Sequence, residues 1–174
     1  GRSFFLSLFI GFSFSLFAQN VKILTTSDTS YIYSDPEFEL LSAASKGDTA
    51  KILAFLEIGT DVNATNWDGV SSLMYAAQNG HLRCVEILID KGADITAKPY
   101  SELDALTVAC IAGHALVVDT LILNGAYVDS RNTDGLTPLM WASAYDHKLV
   151  ADILIFYNSK INTAVARSGS PASA

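Results

Sequence analysis

A chain that repeats itself every 33 residues folds as a stack of like units, because each unit is too small to bury a core alone. Offsetting this sequence by 33 brings Gly47, Gly80 and Gly113 into one column, and Gly59, Gly92 and Gly125 into a second. Leu40, Leu73, Leu106 and Leu139 share a third column, and Ala43, Ala76, Ala109 and Ala142 a fourth. Val62, Ile95, Val128 and Ile161 make a fifth; His81, His114 and His147 make a sixth. Independent columns sharing one period are not a chance pattern.

Each unit reads as two short helices. Thr137-Pro138 is an N-cap followed by proline at the first helical position, where its missing N–H is harmless. Ser71-Ser72 is a weaker version of that start, and Asp104 supplies the capping oxygen in the third unit. The first helix is predicted to end at Gly80 or Gly113, in the left-handed conformation that terminates helices. Cys84 to Ile89 then carry apolar residues at helical spacing, and this second helix stops at Gly92 or Gly125. Asp68-Gly69 and Asp134-Gly135 mark the tips of the extended turns between units.

The run Asp134-Gly135-Leu136-Thr137-Pro138-Leu139-Met140-Trp141-Ala142 resembles the ankyrin repeat. Gly80-His81 and Gly113-His114 match the pair that opens that family's second helix. Lys91-Gly92-Ala93-Asp94-Ile95 and Asn124-Gly125-Ala126-Tyr127-Val128-Asp129 match its end. The resemblance covers roughly residues 37–165 and implies an all-α solenoid of antiparallel helix pairs joined by β-turn loops. Residues 37–66 lack the turn tip and the Thr-Pro, and their polar Glu37, Glu39, Ser42, Ser45 and Lys46 suit an N-terminal capping repeat. Full units are expected at 67–99, 100–132 and 133–165. Glu102 stands where the third turn should have glycine, so that loop is expected to take another shape. Asp146 and Asn158 replace glycines in the fourth unit, and asparagine tolerates the left-handed conformation. Residues 166–174 are either a Ser/Ala/Gly/Pro tail or, with Ser170-Pro171 one period after Thr137-Pro138, the opening of a truncated further repeat.

Residues 1–18 read as a signal peptide. Arg2 precedes an apolar run from Phe4 to Phe17, about 14 residues and short for a membrane span of about 20. Small Ala18 closes it, and the Leu-Phe-Ala-Gln ending resembles bacterial secretory signals, although Leu16 is large for its position before the cut. Cleavage after Ala18 is expected, with an uncleaved anchor as the alternative. The chain is thus expected in the periplasm or secreted, with no membrane association after cleavage. Residues 19–36 read as a linker, with Val21 to Leu24 able to form a short strand.

Charge narrows the partners. Lys plus Arg number 11 against 18 Asp plus Glu, and removing Arg2 leaves 10 against 18, a net of −8. Phosphate-binding surfaces need clustered cations, so the acidic balance argues against nucleic acid and anionic membrane surfaces as partners. No P-loop, nucleophile elbow or dinucleotide glycine motif is present, and no enzyme activity or cofactor is expected. The histidine column sets its imidazoles about 10 Å apart, one packed helix from the next. Zinc ligands must converge to about 2 Å from one ion, so these histidines read as helix-end hydrogen bonders and no metal is expected. Cys84 aligns with Val117 and Val150, and Cys110 with Ala77 and Ser143, which are small core positions. They read as buried free thiols, or, in an exported protein, as one disulfide.

Within the family, turn tips and the exposed side of the first helices form a concave, variable binding face. Carried onto this sequence, that face comprises Asn66, Trp67, Asp68, Val70, Gln78, Asn79, Tyr100, Ser101, Leu103, Ala112, Thr133, Asp134, Leu136, Ala144 and Tyr145. Trp67 and Tyr100 share a column at the tips, and either meet a partner or stack on their neighbours to stiffen the turns. Trp141 is expected partly buried between helices. The resemblance implies a non-catalytic module that binds another protein, expected as a monomer. Two alternatives remain: a structural segment of a longer repeat array, and a secreted effector acting on a host protein.

Overall fold

The computed structural model describes residues 35–168. The expected signal peptide, most of the linker with its Val21 to Leu24 strand, and Ser170-Pro171 lie outside them. Among the described residues there are eight helices and no named strand: α1 (Pro36–Lys46), α2 (Thr49–Glu57), α3 (Ser72–Gln78), α4 (Leu82–Asp90), α5 (Ala105–Ala112), α6 (Ala115–Leu123), α7 (Pro138–Ala144) and α8 (Lys148–Ser168). This is the expected all-α solenoid. First helices α1, α3, α5 and α7 pack side by side, and α2, α4, α6 and α8 form a second row behind them. None of the described helices is long and apolar enough to cross a membrane.

Local chemistry sets the helix starts. Asp35, Ser71, Asp104 and Thr137 cap the first helices, each side chain accepting from a backbone N–H inside its helix. Asp104 binds most closely: its Oδ1 accepts from the Thr107 N–H at 2.8 Å and the Thr107 hydroxyl at 2.7 Å. The repeating leucines and alanines lie in one continuous core. Leu40, Leu73 and Leu106 are fully buried, as are Ala44, Ala76, Ala109 and Ala142.

The histidines join one unit to the previous one. His81, His114 and His147 each set Nε2 at 2.9–3.1 Å from a backbone carbonyl 36 residues earlier, those of Ser45, Gln78 and Ile111. A carbonyl can only accept, so each ring carries its proton on Nε2. The hydrogen-bonding role read from the sequence is the one observed.

The third turn corrects one expectation. Its loop keeps the shape of the others, because Glu102 itself adopts the left-handed conformation at φ +57°, as Gly69 and Gly135 do. The Glu102 N–H donates to the Pro99 carbonyl at 2.9 Å, matching Gly69 to Asn66 and Gly135 to Asn132. What changes is the support inside the turn. Asn66 and Asn132 accept backbone N–H bonds on their side-chain oxygens, whereas Pro99 in the same column can do neither that nor donate its own N–H. Glu102→Gly removes the left-handed penalty and should raise stability by about 1 kcal/mol, or roughly 3 °C in Tm, measurable by thermal unfolding.

Asn158 corrects another. It does not turn left-handed; it lies within α8, which runs on to Ser168. Ile161, placed by period with the turn residues Val62, Ile95 and Val128, is therefore helical and half exposed.

Candidate functional site

The turns stand in a row and are tied to one another. The Tyr100 N–H donates to the Asp68 carbonyl at 3.0 Å. The Asn63 carboxamide bonds the Gly92 carbonyl and the Asp94 N–H, and Lys98 Nζ donates to the Arg131 carbonyl at 3.0 Å. Gly69 lies so close to Pro99 that an added Cβ would sit 3.2 Å from its Cα. These ties give neighbouring tips a fixed separation.

Trp67 and Tyr100 project from that row. Their side chains are 98% and 83% exposed, and the ring contacts of the described residues involve neither of them. Asp68, Ser101, Thr133 and Asp134 are exposed beside them, while Val70, Leu103 and Leu136 are half-buried where each turn enters its first helix.

The first helices continue the same face. Gln78, Asn79, Ala144 and Tyr145 are exposed and Ala112 is partly so. Trp141 is partly buried, as expected, and stacks on Tyr145 at 6.3 Å between ring centroids; Tyr145 stacks in turn on His147 at 6.3 Å. Asn66 differs from its neighbours. Its Oδ1 accepts from the Asp68 and Val70 N–H groups at 3.0 and 2.9 Å, and its Nδ2 donates to the Tyr75 hydroxyl at 3.1 Å. Its side chain is occupied in holding the turn, and its recurrence at Asn132 is the signal for that role.

Sequence reasoning passed over the N-terminal end of this face. There a groove of about 610 Å³ is lined by Asp35, Glu37, Phe38, Leu41, Lys46, Trp67 and Tyr75, among others. Phe38 is 64% exposed. It stands in the column of the caps Ser71, Asp104 and Thr137, and an aromatic in a polar column could have flagged it.

The thiols are chemically quiet. Cys84 and Cys110 are both free and buried. Burial pushes the Cys110 thiol up to about 12, with the Asp104 carboxylate adding to the shift. Burial also raises Cys84, with a smaller push from Asp48. Neither presents a thiolate at neutral pH. A thiol reagent should label the native chain hardly at all and label both cysteines once it is unfolded; fast native labelling would contradict this packing. Among the described residues, no three His, Cys, Asp or Glu side chains converge to hold a metal ion.

No curated protein matches the chain. The family model for ankyrin repeats (3 copies) matches residues 17–99 and again 98–165. With that match over most of its length, paired helices at a 33-residue period and a row of projecting turns, the chain belongs to the ankyrin-repeat family.

Proposed function

We propose that this chain is an exported, non-catalytic module that recognises a partner protein through its turn tips and first helices. Ankyrin repeats are generally protein–protein interaction modules. The observation that carries the finer reading is the pair of exposed aromatics, Trp67 and Tyr100, on turns held together by a backbone hydrogen bond. Aromatics dominate binding hot spots, and a surface already rigid loses little freedom on binding. Asp68, Glu102 and Asp134 place carboxylates along the same row, which favours a neutral or basic partner.

Export rests on residues 1–18 and puts the module in the periplasm or outside the cell. Fractionation with N-terminal sequencing should find the mature chain starting at Gln19; a cytoplasmic chain retaining residues 1–18 contradicts this part. The binding face is tested by placing a photo-crosslinking amino acid at position 67, at 100, or at Arg83, which is exposed on the second-helix row. Positions 67 and 100 should give a protein adduct in source cells and position 83 should not. Adducts from position 83 alone would sink the reading.

A further inference from the structure

Most polar side chains of the turn segments help to hold their own loop. Asp61 Oδ1 accepts from the Asn63 N–H at 2.9 Å, and Asp94 Oδ1 accepts from the Thr96 N–H and hydroxyl at 2.8 Å. Asn66 braces the turn that carries Trp67. The Asp68 carboxylate does none of this. It is exposed and enters no hydrogen bond or ion pair among the described residues. Lys98 and Arg131, the cations of the turn segments, donate instead to the carbonyls of Arg131 and Gly135.

Asp68 stands between two aromatic residues. Trp67 precedes it, and Tyr100 on the next turn bonds its carbonyl through the backbone at 3.0 Å. Trp67 and Tyr100 hold the same turn position one unit apart, about 10 Å at the spacing of packed helices. A cation midway lies about 5 Å from each ring, inside the roughly 6 Å reach of cation–π attraction. Both rings are exposed, so they can turn their faces towards it. The turn of the fourth unit has Thr133 before Asp134, a carboxylate without a ring. Of the cationic side chains, arginine suits so open a site best. Its guanidinium is weakly hydrated, lies flat on an aromatic face, and still presents N–H groups at its edge to a carboxylate.

We propose that Trp67, Asp68 and Tyr100 form a receptor for one arginine side chain of the partner protein, held between the two rings and paired with the Asp68 carboxylate. This rests on the partner-binding reading only for the source of the arginine. Nuclear magnetic resonance of the purified chain tests the site itself, with the capped peptide Gly-Gly-Arg-Gly-Gly as the probe. The Trp67 indole signal, assigned by its loss in Trp67→Phe, should shift saturably. The same peptide with neutral citrulline in place of arginine should bind about ten-fold more weakly. Read from the Gly69 amide signal, Asp68→Asn should weaken the arginine peptide about three-fold, and Trp67→Ala with Tyr100→Ala about ten-fold. Asp134→Asn should leave it unchanged. All these side chains lie outside the core, so each variant should keep the circular dichroism of the parent. Equal binding of the two peptides, or a loss on Asp134→Asn matching that on Asp68→Asn, overturns the proposal. A partner cross-linked through position 67 or 100 whose affinity ignores Asp68→Asn also overturns it, and leaves the partner-binding reading standing. Missing adducts at both positions, with the preference for arginine intact, support the site and sink that reading instead.

Discussion

Gly80→Ala should destabilise the stack by about 3 kcal/mol, whereas Gly92→Ala should cost about 1 kcal/mol. Both glycines are left-handed, at φ +73° and +90°, so both substitutions meet the same backbone penalty, which is roughly 1–2 kcal/mol. Their surroundings differ. A Cβ on Gly80 would lie 2.6 Å from Cε1 and Nδ1 of His114 and 2.9 Å from its Cγ; one on Gly92 would meet nothing within 4 Å. The whole imidazole crosses the site, so a small rotation does not relieve the clash. The ring is also held by its bond to the Gln78 carbonyl at 3.1 Å. Moving it sacrifices that bond, which contributes about 1 kcal/mol, along with packing between units. A double-mutant cycle isolates the contact: with His114→Ala in place, Gly80→Ala should cost little more than Gly92→Ala does in the parent. Equal costs at the two glycines in the parent would show that the histidine contact contributes nothing.

That contact explains why the fold was legible. A glycine, and the histidine lying over it from the next unit, recur together because each is shaped by the other. Their period alone announces both the helix ends and the stacking. Legibility failed where a position is fixed by its neighbours rather than by its own residue. Glu102 and Asp146 are left-handed at φ +57° and +58° without being glycine. The Glu102 turn is clamped by Tyr100 bonding to Asp68. Asp146 is set by the helix-ending bond from the His147 N–H to the Ala142 carbonyl at 2.9 Å. Asn158 failed in the other direction. In earlier units the second helix ends where Thr60, Ala93 and Ala126 bond back to Phe55, Leu88 and Leu121. In the fourth unit α8 simply propagates, and the Asn158 and Ile161 columns lose their structural meaning.

The candidate site was legible in outline only. Periodicity separates core columns from the rest, and the family resemblance says which face the rest occupies. It does not separate a side chain that faces outward from one that braces its own turn. Trp67 and Asn66 are adjacent in sequence, yet one is almost fully exposed and the other has both ends of its carboxamide bonded inside the turn. The local fold of the turn decides that, since Asn66 closes on the Asp68 and Val70 N–H groups and on the Tyr75 hydroxyl.

The second large effect concerns binding. Replacing both Trp67 and Tyr100 by alanine should weaken the partner complex by 100-fold or more, about 3 kcal/mol, since each aromatic hot spot contributes on the order of 2 kcal/mol. Stability should move by only about 0.5 kcal/mol, because the rings touch solvent rather than the core. The backbone bond from Tyr100 to Asp68 survives the substitution, so the turns keep their geometry. The pairing of large lost affinity with small lost stability separates a recognition surface from a structural one.

The deciding measurement is a titration of the partner cross-linked through position 67 or 100, run on the parent chain and on the Trp67→Ala/Tyr100→Ala variant, with melting curves for both. The account predicts a Kd raised by 100-fold or more at a nearly unchanged Tm. An unchanged Kd, or a weakened one accompanied by a large fall in Tm, would contradict it.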